Sequence, residues 1–159
     1  MTAVAPSLPP YAHINTEALQ CIAEASQRYD VPELLLHSIL MKENGRTGKY
    51  STNKDGTYDL GLAQINTRWL SFFGRYGIRP DDIMNKTCTN VAIGAYILKY
   101  NWQRQGHDWF KATVAYHIGN ASWTPERYAR GYRYAKDVVQ YWWGFYRYVE
   151  AVDAAQQKN

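Results

Sequence analysis

The sequence predicts a mainly α-helical single domain with one small β-hairpin. Apolar residues recur three and four positions apart along most of the chain, which is the period of helices packed on a core. Capping residues and glycines separate these stretches into several helices, and Asp55-Gly56 gives a strong hairpin turn signal. A length of 159 residues, with 46% hydrophobic and 20% charged residues, is typical of one globular domain and excludes a disordered chain.

Two helices are predicted at the start of the domain. Asn15 or Thr16 can cap the first helix by accepting backbone hydrogen bonds from its first turn. The apolar positions of this helix fall on one face, which carries Ala18, Ile22, Ala25 and Tyr29. The second helix is expected to start at the signal given by Asp30, to run to Glu43 and to stop at Gly45.

The pattern changes over residues 46–66, where a hairpin is predicted. Tyr50 and Tyr58 flank the Asp55-Gly56 turn, and aromatic residues next to such a turn are typical of paired strands. We expect this hairpin to be the only β element of the chain. A short helix over residues 67–76 follows it, since a glycine then closes the pattern.

Three further helices are predicted in the second half. The first covers about residues 89–106, and its inner face carries Val91, Gly94, Ala95, Leu98 and Trp102. Asp108 caps the next helix, which ends before Gly119. Thr124-Pro125 opens the last helical region, which finishes in an aromatic stretch.

The two ends of the chain are expected to lie outside the folded domain. Residues 1–14 are proline-rich and predict a flexible arm, and residues 151–159 lack apolar periodicity and predict a frayed tail. The domain itself is therefore assigned to residues 15–150. The arm shows no signal peptide and the chain has no apolar run long enough to span a bilayer, so it is either cytosolic or a mature exported form.

Charge and composition exclude some functions and leave others open. The 18 lysines and arginines exceed the 14 acidic residues by four, so the chain suits cell wall, nucleic acid or membrane surfaces. The basic residues are scattered, and we expect no nucleic-acid binding. No histidine or cysteine spacing fits a metal site, and no cofactor is expected. Fourteen tyrosines and six tryptophans against four phenylalanines indicate a polar groove lined by rings.

Glu43 is the acidic residue whose position in the sequence best suits it for catalysis. It falls at the end of an apolar helix, where the helix dipole disfavours its anion. Apolar neighbours would add a desolvation cost, and both effects raise the pKa of a carboxyl group. A carboxylic acid that stays protonated near neutral pH is suited to general acid catalysis.

An ordered set of motifs resembles one family. The stretch 55–69, D-G-T-Y-D-L-G-L-A-Q-I-N-T-R-W, resembles the hairpin of lysozyme-type enzymes and the segment after it. The order of Glu43, Gly61–Gln64 and Ala115–His117 resembles the catalytic Glu, G-L-M-Q and A-Y-N motifs of the soluble lytic transglycosylase (SLT) domain. Tyr134 lies in a segment that resembles the tyrosine-containing helix near the end of such domains. The resemblance covers about residues 21–138 and implies a lysozyme-like fold.

The resemblance also implies a reaction and a set of site residues. Glu43 would serve as acid and then as base in cleaving the bond between N-acetylmuramic acid (MurNAc) and N-acetylglucosamine (GlcNAc), leaving a 1,6-anhydro ring. The substrate would be bound by Asn44, Asp59, Gln64, Tyr116, His117 and Tyr134, and by the backbone of Gly61 and Leu62, where the glycine permits close approach. Three of the motif positions depart from the family, since Asn44, Ala63 and His117 replace Ser, Met and Asn. We expect these changes to affect specificity, with Ala63 widening the groove.

Asp59 leaves two interpretations open. It falls where animal-type lysozymes carry a second carboxylate, which would make the chain a hydrolase. Alternatively, it binds the backbone of the hairpin as a turn residue. A third reading gives the chain no catalysis and makes it a glycan-binding or structural part of a secretion apparatus, although the retained Glu43 argues against this.

The resemblance further implies a setting and partners. Cys21 and Cys88 are the only cysteines, and related enzymes pair cysteines at these places, so we expect a disulfide rather than two free thiols. A short form of this kind resembles the transglycosylases of type III or type IV secretion, conjugation and pilus assembly. The expected partners are peptidoglycan strands and components of such a machine. A monomer in the periplasm is expected, with the export signal removed.

Overall fold

The computed structural model describes residues 13–159, which form one helical domain with a small sheet. Its helices are α1 (Thr16–Tyr29), α2 (Glu33–Glu43), α3 (Leu70–Gly74), α4 (Pro80–Asn85), α5 (Thr87–Arg104), α6 (Trp109–Ile118) and α7 (Pro125–Gln157). A single 3₁₀ turn, Thr67–Trp69, precedes α3. The strands are β1 (Tyr50–Thr52), β2 (Tyr58–Leu60) and β3 (Ile65–Asn66). The predicted mainly α-helical class is confirmed.

Helix α5 runs through the centre of the domain. Val91, Ala95 and Leu98 are buried on one face, and Ile93 and Ile97 are buried on the opposite face, as expected of a helix covered on more than one side. Helix α1 packs on α5, α6 packs between α5 and α7, and α2 packs on α7. The core therefore lies around α5, and α2, α6 and α7 meet beside it.

The helix boundaries follow the predicted capping signals at most places. Asn15, Asp108 and Thr124 each accept a hydrogen bond from a backbone N–H in the first turn of their helix. Asp30 is an exception, because it ends α1 in the left-handed conformation and Pro32 precedes α2 instead. Helix α5 begins at Thr87, two residues before the predicted start.

The hairpin is present and belongs to a larger sheet than expected. Strand β2 pairs antiparallel with β1, with Ser51 opposite Asp59, and also with β3, where Asp59 lies opposite Asn66. The third strand, β3, was not predicted, because it has only two residues and no alternating pattern. Helix α4 was also not predicted. It has only six residues, so the segment is too short to show a helical pattern of apolar residues.

The ends of the domain differ from the expected boundaries. Residues 1–12 of the predicted arm lie outside the described part of the chain, and Ile14 is fully buried, so the core reaches beyond residue 15. Helix α7 continues through 151–157, where a frayed tail was predicted. Alanine and glutamine in this segment have high helix propensity, which extends the helix without an apolar face.

The predicted disulfide is present. Cys21 of α1 and Cys88 of α5 are bonded, with their Cα atoms 4.9 Å apart. The bond ties the first helix to the central one across a sequence separation of 67 residues. Within the range that the structure describes, every helix is too short or too polar to cross a bilayer.

Candidate active site

Glu43 is the last residue of α2 and lies at the meeting point of that helix and the sheet. Asn44 ends the helix in the left-handed conformation, and its N–H donates to Leu40 O at 3.1 Å. Gly45 follows in close contact with the sheet, since a Cβ atom there would lie 2.2 Å from Gly61 O. The lack of a side chain at Gly45 thus brings the end of α2 against the G-L-A-Q segment.

The segment after β2 is held in place by a buried amide. Asn90 of α5 donates to Leu60 O at 2.8 Å and to Ile83 O at 2.9 Å, and it accepts from Ala63 N at 2.6 Å. An amide with all these bonds satisfied fixes the backbone around it. Gln64 follows in the left-handed conformation, and its Nε2 donates to Gly61 O at 3.0 Å. Its side chain also accepts from the Ser51 hydroxyl, so it is anchored within the sheet.

Two tyrosines from α6 and α7 complete the surroundings of Glu43. The Tyr134 hydroxyl donates to Glu43 Oε1 at 2.6 Å, and Tyr134 is itself buried. The Tyr116 hydroxyl donates to Ala63 O at 2.7 Å and so joins α6 to the G-L-A-Q segment. Burial and the nearby Glu43 raise the pKa of both phenols well above the ordinary value, so both remain hydrogen-bond donors.

The surroundings of Glu43 favour its protonated form. Burial raises its pKa from 4.5 to about 7, and the nearby Asp59 carboxylate acts in the same direction. The hydrogen bond from Tyr134 and the charge of Lys42 oppose this shift without cancelling it. Within residues 13–159 no side-chain hydrogen bond engages Oε2, which leaves that oxygen to carry the proton.

Lys42 would oppose this protonation more strongly if its charge were unpaired. Its Nζ lies 2.8 Å from Asp137 Oδ2 of α7, and this pair compensates the positive charge beside the acid. The same pair joins α2 to α7 three residues after Tyr134, which fixes the two helices next to the Glu43–Tyr134 hydrogen bond.

Asp59 lies in β2 and shares the cleft with Glu43. Its Oδ1 accepts from Asn66 Nδ2 at 2.9 Å, and Asn66 also donates to the Thr57 hydroxyl at 3.0 Å. Asp59 is thus held by a side chain of the neighbouring strand, and not by the hairpin backbone as the turn interpretation expected. It also faces open cleft, so the same carboxylate contributes charge near Glu43.

A polar cleft of about 550 Å³ connects these groups. It extends from the hairpin turn to the loop between α6 and α7 and has two walls. One wall includes Lys54, Asp55, Asp59, Gln64 and Arg68, and the other includes Tyr116, His117, Asn120, Arg127 and Arg130. Glu43 lies between the walls, so the cleft can present a polar, elongated molecule to a protonated acid.

The structure brings together only part of the predicted site. Glu43, Asp59, Gln64, Tyr116 and His117 line the cleft, and Tyr134 reaches it through its bond to Glu43. The remaining predicted residues lie behind the cleft wall or beside it, as their side-chain burial and contacts show.

Three residues predicted to contact the substrate have side-chain positions outside the cleft lining, and their contact with substrate stays a prediction. Asn44 is exposed at the end of α2, where its Oδ1 accepts from Arg46 at 3.5 Å. Leu62 is 1% exposed and belongs to the core. A Cβ atom at Gly61 would lie 2.4 Å from Asn90 Nδ2, so this glycine packs against the buried amide.

The expectation that Ala63 widens the groove was wrong. Its side chain is fully buried, and a Cβ atom at Gly94 would lie only 3.0 Å from it. A small residue at position 63 therefore serves the close approach of the sheet to α5.

The sequence reasoning also missed residues that form the site. Asn101 is buried within α5, and Asn120 Nδ2 donates to its Oδ1 at 2.7 Å, which holds the loop after α6 at the cleft. Gln105 donates in turn to Asn120 Oδ1 at 2.8 Å. The sequence signal for these residues was the presence of Asn90 and Asn101 within an otherwise apolar helix. Buried amides require hydrogen-bond partners, so each of these side chains indicates a polar segment packed against the helix.

This combination defines a class of protein. A helical domain with a small three-stranded sheet, and with a glutamate at a helix end beside that sheet in a cleft, has the lysozyme-like fold. A family model described as the transglycosylase SLT domain matches residues 20–137. The chain belongs to this family, and the sequence-based resemblance is confirmed.

Curated relatives match along most of their length. The invasion protein IagB of Salmonella typhimurium is 32% identical over 147 residues, which cover 92% of this chain and 86% of that protein. The X polypeptide of Escherichia coli is 31% identical over 129 residues, or 80% and 75% of the two chains. Protein IpgF of Shigella flexneri is 27% identical over 140 residues, or 87% and 86%.

Proposed function

We propose that this protein is a lytic transglycosylase that cleaves the MurNAc–GlcNAc bond of peptidoglycan and leaves a 1,6-anhydroMurNAc end. The observation that carries the proposal is the position of Glu43, which lies in a polar cleft, accepts a hydrogen bond from Tyr134 and has a pKa raised by burial to about 7. Membership of the SLT family supports the same activity.

The first step transfers the proton of Glu43 to the glycosidic oxygen. The bond between that oxygen and the MurNAc anomeric carbon breaks, and its electron pair stays with the departing GlcNAc hydroxyl. Positive charge develops at the anomeric carbon, as in other glycosidic cleavages. The acetamido group of the same sugar stabilises this centre in the proposed mechanism, so no enzyme nucleophile is required.

The second step returns the proton to the enzyme. The C6 hydroxyl of MurNAc attacks the anomeric carbon, and ionised Glu43 takes the hydroxyl proton. A pKa near 7 suits a group that must give a proton and then accept one. The Tyr134 hydroxyl donates to Oε1 and stabilises the carboxylate between the two steps. No water is consumed, so the product is lighter by one water than a hydrolysis product.

A hydrolytic lysozyme is the second candidate, and Asp59 is the observation that favours it. Its carboxylate faces the same cleft and raises the pKa of Glu43. However, Asn66 already donates to Asp59, which supports a structural and electrostatic role. We therefore place Asp59 with the groups that bind and polarise substrate, and Glu43 alone with the groups that transfer protons.

We also propose a periplasmic setting and service to a secretion or conjugation machine. The disulfide supports an oxidising compartment. One relative carries the name invasion protein, which agrees with a role at the cell envelope. The two cleft walls carry more basic than acidic side chains. Their basic residues are Lys54, Arg68, Arg127 and Arg130, and their acidic residues are Asp55 and Asp59. This excess of positive charge suits glycan strands that bear anionic stem peptides.

The test compares two carboxyl-to-amide variants in release of soluble fragments from purified peptidoglycan. Glu43→Gln should lower the rate by about 10²- to 10⁴-fold, since it removes the only proton carrier. Asp59→Asn should retain substantial activity, because the amide keeps the shape of the side chain. Glu33→Gln, at the exposed start of the same helix, is the matched control.

The possible outcomes separate the candidate functions. Equal loss in Asp59→Asn and Glu43→Gln would contradict the proposal and favour a lysozyme. A wild-type protein that binds glycan strands but releases nothing would instead support a non-catalytic component of the apparatus.

A further inference from the structure

We propose that His117 is a positioning residue that holds the Tyr134 ring where its hydroxyl donates to Glu43. The expected effect on catalysis rests on the proposed function. The effect of His117 on the hydrogen bond between Tyr134 and Glu43 does not depend on it. His117 stands where the family motif has Asn, and an imidazole ring covers more of a phenol face than the shorter and smaller amide group of Asn can.

The two rings form a closely parallel stack. The centroids of His117 and Tyr134 lie 4.5 Å apart, and the ring planes differ by 3°. One face of the phenol is thus covered by the imidazole. Since the Tyr134 hydroxyl lies 2.6 Å from Glu43 Oε1, the orientation of this ring sets the direction of the donated hydrogen bond.

The crossing of α6 and α7 explains why these rings meet. A Cβ atom at Gly131 would lie 2.6 Å from Val114 Cγ1, so the helices touch at this point. His117 follows Val114 by three residues and Tyr134 follows Gly131 by three. Residues three apart lie on one helix face, so both rings project from the faces of α6 and α7 that meet at this contact.

The charges around His117 suit a neutral ring. Burial lowers its pKa below the ordinary value of 6.5, and the cations of Arg130 on α7 and Lys42 on α2 act in the same direction. Asp59 of β2 opposes them. Asp137 of α7 is paired with that same Lys42. A neutral imidazole can stack without placing a positive charge beside Glu43, where it would favour loss of the acid proton.

The decisive experiment is a carboxyl titration of Glu43 by ¹³C NMR in the free protein. Replacing Tyr134 by Phe removes the donor and should raise the pKa of Glu43 by about one unit or more. The size of this Tyr134→Phe shift is then measured in three backgrounds: His117→Asn, His117→Phe and His107→Asn. The last is a matched control, because His107 also stacks on a ring, that of Trp102 at 4.2 Å, outside the site.

The proposal predicts a specific pattern of shifts. The Tyr134→Phe shift should fall by at least half in His117→Asn, because the unsupported phenol no longer donates well. It should stay at full size in His117→Phe, which keeps the stack, and in His107→Asn. Equal shifts in all three backgrounds would overturn the proposal, as would a loss in His117→Phe as large as that in His117→Asn.

Kinetics on soluble glycan strands give a second readout. We expect kcat to fall about tenfold in His117→Asn with little change in KM, and to recover in His117→Phe. A fall confined to KM would overturn the positioning role and make His117 a substrate contact. If the wild-type protein released no product, the proposed function would fail while the titration would still decide the role of His117.

Discussion

At the scale of single residues, the site shows how a carboxyl group is kept protonated. Glu43 is desolvated by its position at the meeting of α2, α6 and α7, and Asp59 adds a like charge. Asp137 compensates the nearest cation, Lys42. Burying a carboxylate whose charge is not fully compensated destabilises the folded state. The raised pKa of Glu43 can therefore be tested by measuring protein stability, without any substrate.

The stability of the protein should depend on the protonation of Glu43. Its pKa is about 7 when folded and near 4.5 when unfolded, so between these pH values only the folded state keeps the proton. The stabilising contribution is therefore complete below pH 4.5 and is lost as the pH rises through 7. Relative to wild type, Glu43→Gln should gain about 1–3 kcal/mol of unfolding free energy between pH 4.5 and pH 8.

Urea unfolding across this pH range measures the effect. Glu33→Gln, an exposed change on the same helix, provides the reference for the loss of one carboxyl group. A difference between wild type and Glu43→Gln that stays constant with pH would show that the pKa of Glu43 is not raised.

At the scale of elements, the sequence predicted the helices with clear caps better than the short segments. Asn15, Asp108 and Thr124 marked three helix starts because each satisfies backbone N–H groups locally. Strand β3 and helix α4 were missed, since both are stabilised by contacts with α5 and the rest of the sheet rather than by their own pattern. The extent of α7 was underestimated for a different reason, because helix propensity replaces periodicity in its last turns.

Two glycines of α7 test the proposed helix packing. Gly131→Ala should destabilise the protein by about 1–3 kcal/mol, because its Cβ would overlap Val114 and crowd Ile118. Gly144→Ala should stabilise it by about 0.5–1 kcal/mol, because that site has nothing within 4 Å and alanine favours the helix. Denaturant unfolding gives both values. Equal effects at the two positions would contradict the close contact between α6 and α7.

At the scale of the whole molecule, the motifs identified the acid and the family but not the full site. Glu43, Gln64, Tyr116 and His117 were found because they belong to short patterns in the chain. The polar wall that includes Asn120 and Arg130 was not, because the packing of distant helices brings those residues to the cleft. Gly61 and Leu62 pack behind the cleft, so any part they take in binding substrate falls to their backbone, which stays a prediction.

The disulfide should contribute strongly to the stability of the whole domain. Closing a loop with a separation of 67 residues is worth roughly 4 kcal/mol on the chain-entropy model. We expect no free thiols in the unfolded, non-reduced protein, and a large fall in the denaturation midpoint of Cys21→Ser/Cys88→Ser. Two titratable thiols in protein purified from its native compartment would contradict both the bond and the proposed periplasmic setting.

The mass of the released fragments tests the central claim most directly. Purified peptidoglycan is digested with the wild-type protein, and the muropeptides are analysed by mass spectrometry. The account predicts fragments that end in 1,6-anhydroMurNAc, each lighter by one water than the hydrolysed form, and none from Glu43→Gln. Fully hydrated reducing ends released by the wild-type protein would contradict the account and assign Asp59 to the catalytic pair of a lysozyme.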